Sequence, residues 1–254
     1  MGPVRTEVMW QAVLDAVEIA SADVAGRGLT VLDLGGGTGG DAVRLARAGH
    51  DVTVVDPSPD ALASLERRAS DESRHAADDG RAEPRRVRGV LGDTTDLLQH
   101  VEPGSIDLVL CHGVLEHVDD LDQAVGAVAS VLRPGGHVSV VVAGRLAGVL
   151  ARALAGDFAG ATRMLGATAG EWDTRQMGPR RYVPDEVRDL LAGHGLVARQ
   201  TRGLRVFADL VPSALVDAEP GARDALFALE RLASDHGDFT ASSAGLQTIA
   251  RLDS

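Results

Sequence analysis

The stretch VLDLGGGTGG, residues 31–40, decides the fold of this 254-residue chain. An apolar segment, Val31–Leu34, runs directly into a loop in which five of six residues are glycine. Short apolar runs that end at glycine are typical of buried parallel strands, and glycine lets a ligand approach the bare backbone. The stretch therefore predicts a strand, a ligand-binding loop and then a helix over Gly39–Arg47.

Strand-like and helix-like segments continue to alternate through the first half of the chain. Ser58 is a candidate N-cap for a helix that reaches about Arg68, and the polar residues 69–86 are expected to form a surface loop or a frayed helix. The helix Leu121–Leu132 is expected to stop at the RPGG that follows. The predicted strands of this half are Val31–Leu34, Val52–Val55, Arg86–Val90, Asp107–Cys111 and His137–Val142. This alternation predicts an α/β fold with a Rossmann-like, doubly wound sheet that binds ligands at the carboxyl ends of its strands.

The second half has a different texture. Residues 145–184 are first rich in small residues and then polar and basic, which predicts a helical and loop insertion that covers the strand ends as a lid. A helix over Pro184–His194, a strand over Leu196–Phe207, a helix near Ala222–Ala233 and a strand over Gly245–Leu252 are expected to follow. We expect residues 1–254 to form one domain, because this length fits a single large α/β unit.

Composition excludes several classes of protein. The chain has 25 Lys+Arg residues, all of them arginine, and a net charge of −12 with a pI near 5.0. Such a charge argues against broad nucleic-acid binding, and no DNA partner is expected. The single cysteine, Cys111, excludes a disulfide framework and a structural zinc set. Without a signal-peptide pattern or a long apolar run, we expect a cytoplasmic protein with no membrane partner.

Two glycine patterns compete for the loop. Gly35, Gly37 and Gly40 satisfy the dinucleotide pattern G-x-G-x-x-G, whereas Asp33, Gly35, Gly37 and Gly39 satisfy D-x-G-x-G-x-G. A carboxylate at Asp33 would repel a pyrophosphate. It suits the ammonium and sulfonium groups of S-adenosylmethionine, whose amino-acid end can lie on the glycine backbone. The charge of Asp33 therefore favours S-adenosylmethionine and disfavours a nicotinamide dehydrogenase.

Three further polar residues follow predicted strands. Asp56 can accept hydrogen bonds from both ribose hydroxyls, a role that an acid also has in dinucleotide sites. Asp93 can accept from the adenine amine, cap a helix, or do both. His112 is the one well-placed candidate for a general base, and a packed core histidine is the alternative.

These segments, together with CHGVLEHVDD at residues 111–120 and LRPGG at 132–136, resemble the class I S-adenosylmethionine-dependent methyltransferases. The resemblance covers most of the first 142 residues. It implies a mostly parallel seven-stranded sheet whose last strand is antiparallel, and S-adenosylmethionine as the cofactor.

A closer resemblance extends over nearly the whole chain. GLRVFADLVP (203–212), RDALFALERLAS (223–234), LAGDFAGA (154–161) and GPVRTEVMW (2–10) are similar to segments of the tRNA 5-carboxymethoxyuridine methyltransferases. That family methylates the carboxylate of a modified wobble uridine, which implies a tRNA partner. The chain begins just before Arg5, where the family has a longer leading segment, and it has Ala143 and Gly144 where the family has an aromatic residue and Asn. The cofactor residues implied by the resemblance are Arg5, Gly35, Gly36, Asp56, Leu91, Gly92 and His112.

An anionic methyl acceptor requires cations. Arg175, Arg180 and Arg181 of the insertion, with Arg205, are the candidate substrate-binding cations, and Tyr182 is a candidate for stacking on a base. Solvated surface arginines and a packed tyrosine are the alternatives. Three functions stay open besides the disfavoured dehydrogenase: a tRNA carboxyl methyltransferase, a methyltransferase for a small carboxylate, hydroxyl or amine, and a cofactor-binding protein without turnover.

Overall fold

In the computed structural model, which describes residues 3–24 and 26–253, seven strands form one sheet. The strands are β1 (Thr30–Leu34), β2 (Asp51–Asp56), β3 (Val87–Leu91), β4 (Ile106–His112), β5 (Leu132–Ala143), β6 (Leu196–Leu204) and β7 (Gly245–Leu252). Their order across the sheet is β3-β2-β1-β4-β5-β7-β6, and β7 alone runs antiparallel to its neighbours, β5 and β6. The predicted Rossmann-like, mostly parallel sheet with an antiparallel last strand is confirmed.

Helices cover both faces of this sheet. Those of the described residues are α1 (Pro3–Ser21), α2 (Gly40–Arg47), α3 (Pro59–Asp78), α4 (Leu97–His100), α5 (Leu121–Val131), α6 (Arg145–Leu154), α7 (Phe158–Gly166), α8 (Thr174–Met177), α9 (Pro184–Ala192), α10 (Ser213–Ala218), α11 (Ala222–Ser234) and α12 (Gly237–Thr240). None of them is long and apolar enough to span a membrane. One core lies between the sheet and α5 and α9, and a second lies between the sheet and α1, α2 and α3.

Two local expectations are confirmed in part. The hydroxyl of Ser58 caps α3 by accepting from the backbone of Ala61 at 3.3 Å, as predicted, but the helix continues to Asp78 instead of ending near Arg68. Buried Ala76 fixes its last turns to the core. The RPGG segment lies within β5, where the register against β4 shifts, so that the helix before it ends and the strand begins without a separate loop.

The register brings the strand ends together. Leu34 of β1 pairs with Val55 of β2 and with Cys111 of β4. The residues that follow, Gly35, Asp56 and His112, therefore meet at one edge of the sheet, because carboxyl ends of parallel strands share an edge. The segment predicted as an insertion forms α6, α7 and α8 beyond β5, and an isolated bridge joins Gly144 to Tyr182 at its two ends.

Candidate functional site

The glycine loop adopts backbone conformations that other residues rarely adopt. Gly35, Gly37 and Gly39 have φ of 72°, 57° and 69°. At Gly36 a Cβ atom would lie 2.3 Å from Oδ2 of Asp33, so this residue leaves room for the carboxylate beneath it. A Cβ at Gly37 would meet open space instead. The loop thus encloses the acid on one side and presents bare backbone on the other, as a cofactor cradle requires.

Asp33 carries an unusual carboxyl group. It lies at the end of β1 and is 7% exposed. Burial, followed by the charges of Asp41 and Asp56, raises the pKa of Asp33 to about 7. Three carboxyl groups around one loop repel an anionic pyrophosphate and attract a cation. The carboxyl groups around the loop therefore fit the α-ammonium and sulfonium of S-adenosylmethionine, because they accept hydrogen bonds and carry negative charge.

Asp56 connects the glycine loop to the second strand. Its Oδ2 accepts from the backbone of Gly37 and its Oδ1 from that of Ser58, each at 2.9 Å. Each carboxylate oxygen keeps acceptor capacity for a further partner. The predicted contact of Asp56 with ribose hydroxyls stays a prediction, and the geometry holds the carboxylate in one orientation.

A cleft of about 450 Å³ opens beside this loop at the carboxyl edge. Its apolar walls are formed by side chains such as Val55, Val114 and Val118, and Asp56 and Asp93 line it as well. Apolar walls with acids suit an adenosine, which has a flat apolar ring, an amine and two hydroxyls. The full lining is Leu34, Gly35, Val55, Asp56, Pro57, Asp93, Thr94, Thr95, Gly113, Val114, His117, Val118, Asp119, Asp120 and Gln123.

The segment after β3 reaches the cleft through Asp93. The Oδ1 atom of Asp93 accepts from the backbone and the hydroxyl of Thr95, at 2.7 and 2.6 Å, which stabilises a local turn and does not cap a helix. The backbone N–H of Gly92 donates to Asp56 at 3.3 Å, and Leu91 is 56% exposed. The structure thus brings Gly92 and Asp93 to Asp56, and their predicted cofactor contacts stay predictions.

His112 ends β4 on the face of the sheet that α1 covers. Its Nε2 lies 2.9 Å from the hydroxyl of Ser139 on β5. Burial lowers the pKa of His112 to about 4, so the ring is neutral at pH 7. It does not line the adenosine-sized cleft, although its strand position is beside the start of the glycine loop.

Arg5 lies in α1, away from the glycine loop and the adenosine-sized cleft. Its Nε is 2.7 Å from a carboxylate oxygen of Asp209, in the loop after β6. It lines a separate cleft of about 490 Å³ between α1, that loop and α10. The structure pairs Arg5 with Asp209 and does not bring it into the adenosine-sized cleft; its implied bond to the cofactor carboxylate stays a prediction.

Three of the predicted substrate residues, Arg175, Arg180 and Tyr182, do not form a common anion site. Arg175 is exposed on α8, whereas Arg180 donates to the backbone oxygens of Ala169 and Val118, at 3.2 and 3.0 Å, and so holds the insertion on the cleft wall. Tyr182 is a core residue, because it is 1% exposed and its hydroxyl donates to Leu115 at 2.7 Å. Stacking of a base on Tyr182 therefore has no support in the structure: the packed alternative describes its position.

Arg181 and Arg205 form an electropositive pair beyond β5. Arg181 donates to the backbone oxygen of Gly144 at 3.0 Å. Burial lowers the pKa of Arg181 below its ordinary value; the charges of Arg152 and Arg205 act in the same direction, and those of Glu116 and Asp209 oppose them. A guanidinium that lies near other positive charges is stabilised by a bound anion.

Arg205 itself has two unusual features. It is the one non-glycine of the described residues with positive φ, 56°. Its Nε is buried and has no hydrogen-bond partner among the described residues, although NH1 reaches Asp209 at 3.5 Å. A buried donor without a partner and a positive φ at one residue make Arg205 a candidate for contact with an anion.

Two buried glutamates of the site were not found from the sequence. Glu230 of α11 is 1% exposed and accepts from the backbone of 206, 207 and 208, which fixes the loop that follows Arg205. Glu116 is 8% exposed and accepts from the backbone N–H of Ala143 at 2.8 Å. No sequence signal marks Glu230, because it lies in an ordinary helical pattern; the CHGVLEHV segment is the signal for Glu116.

Comparisons with known proteins agree with this geometry. Residues 32–140 match the family model described as a methyltransferase domain. The tRNA 5-carboxymethoxyuridine methyltransferase of Escherichia coli (strain K12) is 33% identical over 140 residues, 55% of this chain and 48% of that protein. A ubiquinone biosynthesis O-methyltransferase of Xanthomonas campestris is 35% identical over 140 residues, 55% of this chain and 54% of that protein. The chain spans about half the length of the curated relatives it matches.

A solved structure extends the likeness to the whole fold. Magnesium protoporphyrin IX methyltransferase from Synechocystis, with bound S-adenosylhomocysteine, has a TM-score of 0.62 at 16% identity, over 99% of this chain and 86% of that one. At this identity the likeness establishes the fold alone. Residues 32–140 thus match a methyltransferase domain, and the sheet order of the whole chain agrees with the fold of that solved structure. The residues of the loop and cleft fit S-adenosylmethionine.

Proposed function

We propose that the protein transfers the methyl group of S-adenosylmethionine to an anionic acceptor, and that the carboxylate of 5-carboxymethoxyuridine in tRNA is the first acceptor to test. The observation that carries the proposal is the buried, unpaired Nε of Arg205 beside the desolvated guanidinium of Arg181. Guanidinium groups bind carboxylates with high geometric specificity. The 33% identical relative from Escherichia coli supports the tRNA acceptor.

For methyl transfer the protein mainly has to position the cofactor and the acceptor. S-adenosylmethionine supplies an electrophilic methyl group, which an in-line nucleophile displaces from the sulfonium. A carboxylate acceptor is ionised near pH 7, because its ordinary pKa is about 4, and it needs no general base. The proposed role of the arginines is to hold and orient the acceptor, and that of the cleft is to exclude water.

A small acidic metabolite is the second candidate, and a specific observation favours it. A cavity of about 450 Å³ lies beneath α6, α7 and α8, with Gly148, Met164 and Met177 as apolar lining and Arg181 as a cation. Of the aromatic side chains of residues 145–184, Trp172 and Tyr182 are 7% and 1% exposed and offer no free face for a base, whereas Phe158 of α7 is 70% exposed. A cavity of this kind suits a small acid.

The experiment uses labelled S-adenosylmethionine with two acceptor sets. One set is total tRNA from a strain without the wobble methyl ester, analysed as nucleosides by mass spectrometry, and the other is a panel of small carboxylic, hydroxylated and amino compounds. A methyl ester on the wobble nucleoside supports the tRNA acceptor, and transfer to small acids alone supports the metabolite. Cofactor binding by calorimetry without transfer to any acceptor overturns the proposal and favours a binding protein without turnover.

A matched pair of variants tests the arginines. Arg181→Met removes the charge beside the cavity, whereas Arg188→Met removes an exposed charge on α9. Because a hydrogen bond to a charged group contributes about 1.5–3 kcal/mol, Arg181→Met is expected to lower kcat/KM for the acceptor about 10- to 100-fold. Its affinity for the cofactor should be unchanged. Equal effects of the two substitutions would contradict the assigned anion site.

A further inference from the structure

A continuous hydrogen-bonded chain of side chains spans four neighbouring strands beneath α1. It runs from Arg202 on β6 through Gln247 on β7 and Ser139 on β5 to His112 on β4, and we name these four residues the relay. The three links are Arg202 Nε to Gln247 Oε1 at 2.9 Å, Gln247 Nε2 to Ser139 Oγ at 2.9 Å, and His112 Nε2 to Ser139 Oγ at 2.9 Å. Gln247 and Ser139 are 1% and 0% exposed.

The direction of every link is determined by the first. A guanidinium can only donate, so Oε1 of Gln247 is the acceptor and the amide has one orientation. Its Nε2 therefore carries both hydrogens, which it donates to the backbone oxygen of Ala12 at 2.7 Å and to Ser139. Asp15 of α1 forms an ion pair with the same guanidinium of Arg202 and holds it in place. Arg202, the first residue of the relay, is thus held by Gln247 on one side and by Asp15 on the other.

Ser139 passes this direction on to His112. Its hydroxyl accepts from Gln247, is fully buried, and must place its own hydrogen on an acceptor. The acceptor within reach is Nε2 of His112, so that nitrogen is unprotonated and the hydrogen of the neutral ring is on Nδ1. No hydrogen bond joins Nδ1 to another of the described residues, and the side chain is partly exposed at the carboxyl edge.

We propose that Ser139 and Gln247 are positioning residues that fix His112 in the Nδ1–H tautomer, so that it presents a hydrogen-bond donor to an anionic oxygen at the carboxyl edge of the sheet. That oxygen belongs to a carboxylate, either of the cofactor or of the methyl acceptor. The second source rests on the proposed function, whereas the tautomer does not. The assignment also excludes His112 as a base acting through Nδ1.

The tautomer can be measured directly by long-range 1H–15N NMR of the histidine rings, with His112→Gln used to assign the signals. The wild-type protein without ligand is expected to have the hydrogen of His112 on Nδ1. Gln247→Glu keeps an acceptor for Arg202 but cannot donate to Ser139, so the serine hydroxyl turns toward the new carboxylate. Nε2 of His112 then becomes the donor, and the hydrogen moves to it.

Ser139→Ala and Thr201→Val complete the set. Ser139→Ala removes the restraint, so a mixture of both tautomers is expected, with affinity for the bound carboxylate lowered in proportion to the fraction of His112 that leaves the Nδ1–H form, about twofold for an equal mixture. Thr201→Val is the control, because it removes a hydrogen bond of 3.2 Å between Thr201 on β6 and Thr248 on β7, outside the relay. It should leave the tautomer of His112 unchanged. Hydrogen on Nε2 in the wild type, or one tautomer in all variants, would overturn the proposal.

Ligand titrations separate the two sources of the oxygen. A shift of the Nδ1–H signal on addition of S-adenosylhomocysteine alone assigns the cofactor carboxylate. A shift that needs the acceptor in addition assigns the acceptor carboxylate. No shift with either would overturn the ligand contact. Because the tautomer is read without any acceptor, a failure of methyl transfer would leave the result on the relay unaffected.

Discussion

Asp33→Asn is expected to stabilise the fold while it abolishes cofactor binding. The pKa of Asp33 rises from an ordinary 3.8 to about 7 in the folded protein, mainly through burial. A carboxyl with a raised folded-state pKa binds its proton more tightly in the native state, so native stability falls as pH rises from about 4 to 7. The asparagine has nearly the same shape and no charge, and it is not subject to this loss.

The magnitude follows from the shift. Three pKa units at 1.36 kcal/mol each correspond to about 4 kcal/mol, which is fully expressed above pH 7. At pH 5.5 roughly half of this shift is expressed, or about 2 kcal/mol. Below about pH 4, Asp33 is protonated in both states, and the two proteins should have equal stability. These values are upper bounds, because a native state can relax around a buried charge.

Urea unfolding at pH 5.5, 7 and 8.5 measures the difference between variant and wild type. Asp189→Asn, at an exposed position of α9, is the control and should have no pH-dependent effect. Calorimetry with S-adenosylmethionine follows binding in the same samples, and wild-type affinity should increase as pH rises through 7, because the ionised carboxylate binds the cation. A stability gap that does not depend on pH, or a less stable variant at pH 8.5, would refute the reasoning.

Three further substitutions test other parts of the site. Gly36→Ala places a Cβ 2.3 Å from the Asp33 carboxylate, so calorimetry should detect at least a tenfold loss of cofactor affinity in a folded protein; unchanged affinity would contradict the cradle. Tyr182→Phe leaves the backbone oxygen of Leu115 without its buried donor and should lower the free energy of unfolding in urea by about 1–3 kcal/mol, with tRNA or acid turnover retained. Glu230→Gln turns amide hydrogens toward backbone N–H donors. The substitution should lower the free energy of unfolding by about 1–3 kcal/mol and raise KM for the acceptor more than KM for the cofactor. An equal rise in both KM values would argue against the role of Glu230 in fixing the loop after Arg205.

The sheet could be predicted from the sequence because its signals are local. Strands β1, β2, β4 and the valine-rich part of β5 are short apolar runs, and the structure confirms them. Helix α1 was not predicted. It buries small residues such as Ala12, Ala16 and Ala20 against the sheet and lacks a clear apolar stripe, so its contacts with β4 and β5 decide its conformation.

The acceptor side of the site was less accessible to prediction, because it depends on contacts between distant residues. Nothing local indicates that Arg5 meets Asp209 or that Glu230 fixes the loop after β6. Tyr182 lies in a polar and basic stretch that is predicted to form part of a lid. In the structure, a β-bridge pairs it with Gly144 and its ring is buried in the core. The residue type alone made the arginines candidates, and only their contacts in the fold separate the structural Arg180 from the desolvated Arg181.

The carboxyl edge of the sheet has opposite charges at its two ends, and this arrangement has a chemical consequence. The acids around Asp33 and Asp56 lie where β1 and β2 end, whereas Arg181 and Arg205 lie beyond β5 and β6. A cationic methyl donor and an anionic acceptor would each find the complementary charge at one end, while like charges exclude the reverse placement. His112 ends β4, between the two groups, with a hydrogen-bond direction set by the relay. The same net charge of −12 that disfavours indiscriminate RNA binding is thus compatible with selective binding of an acid at the arginine end of the edge.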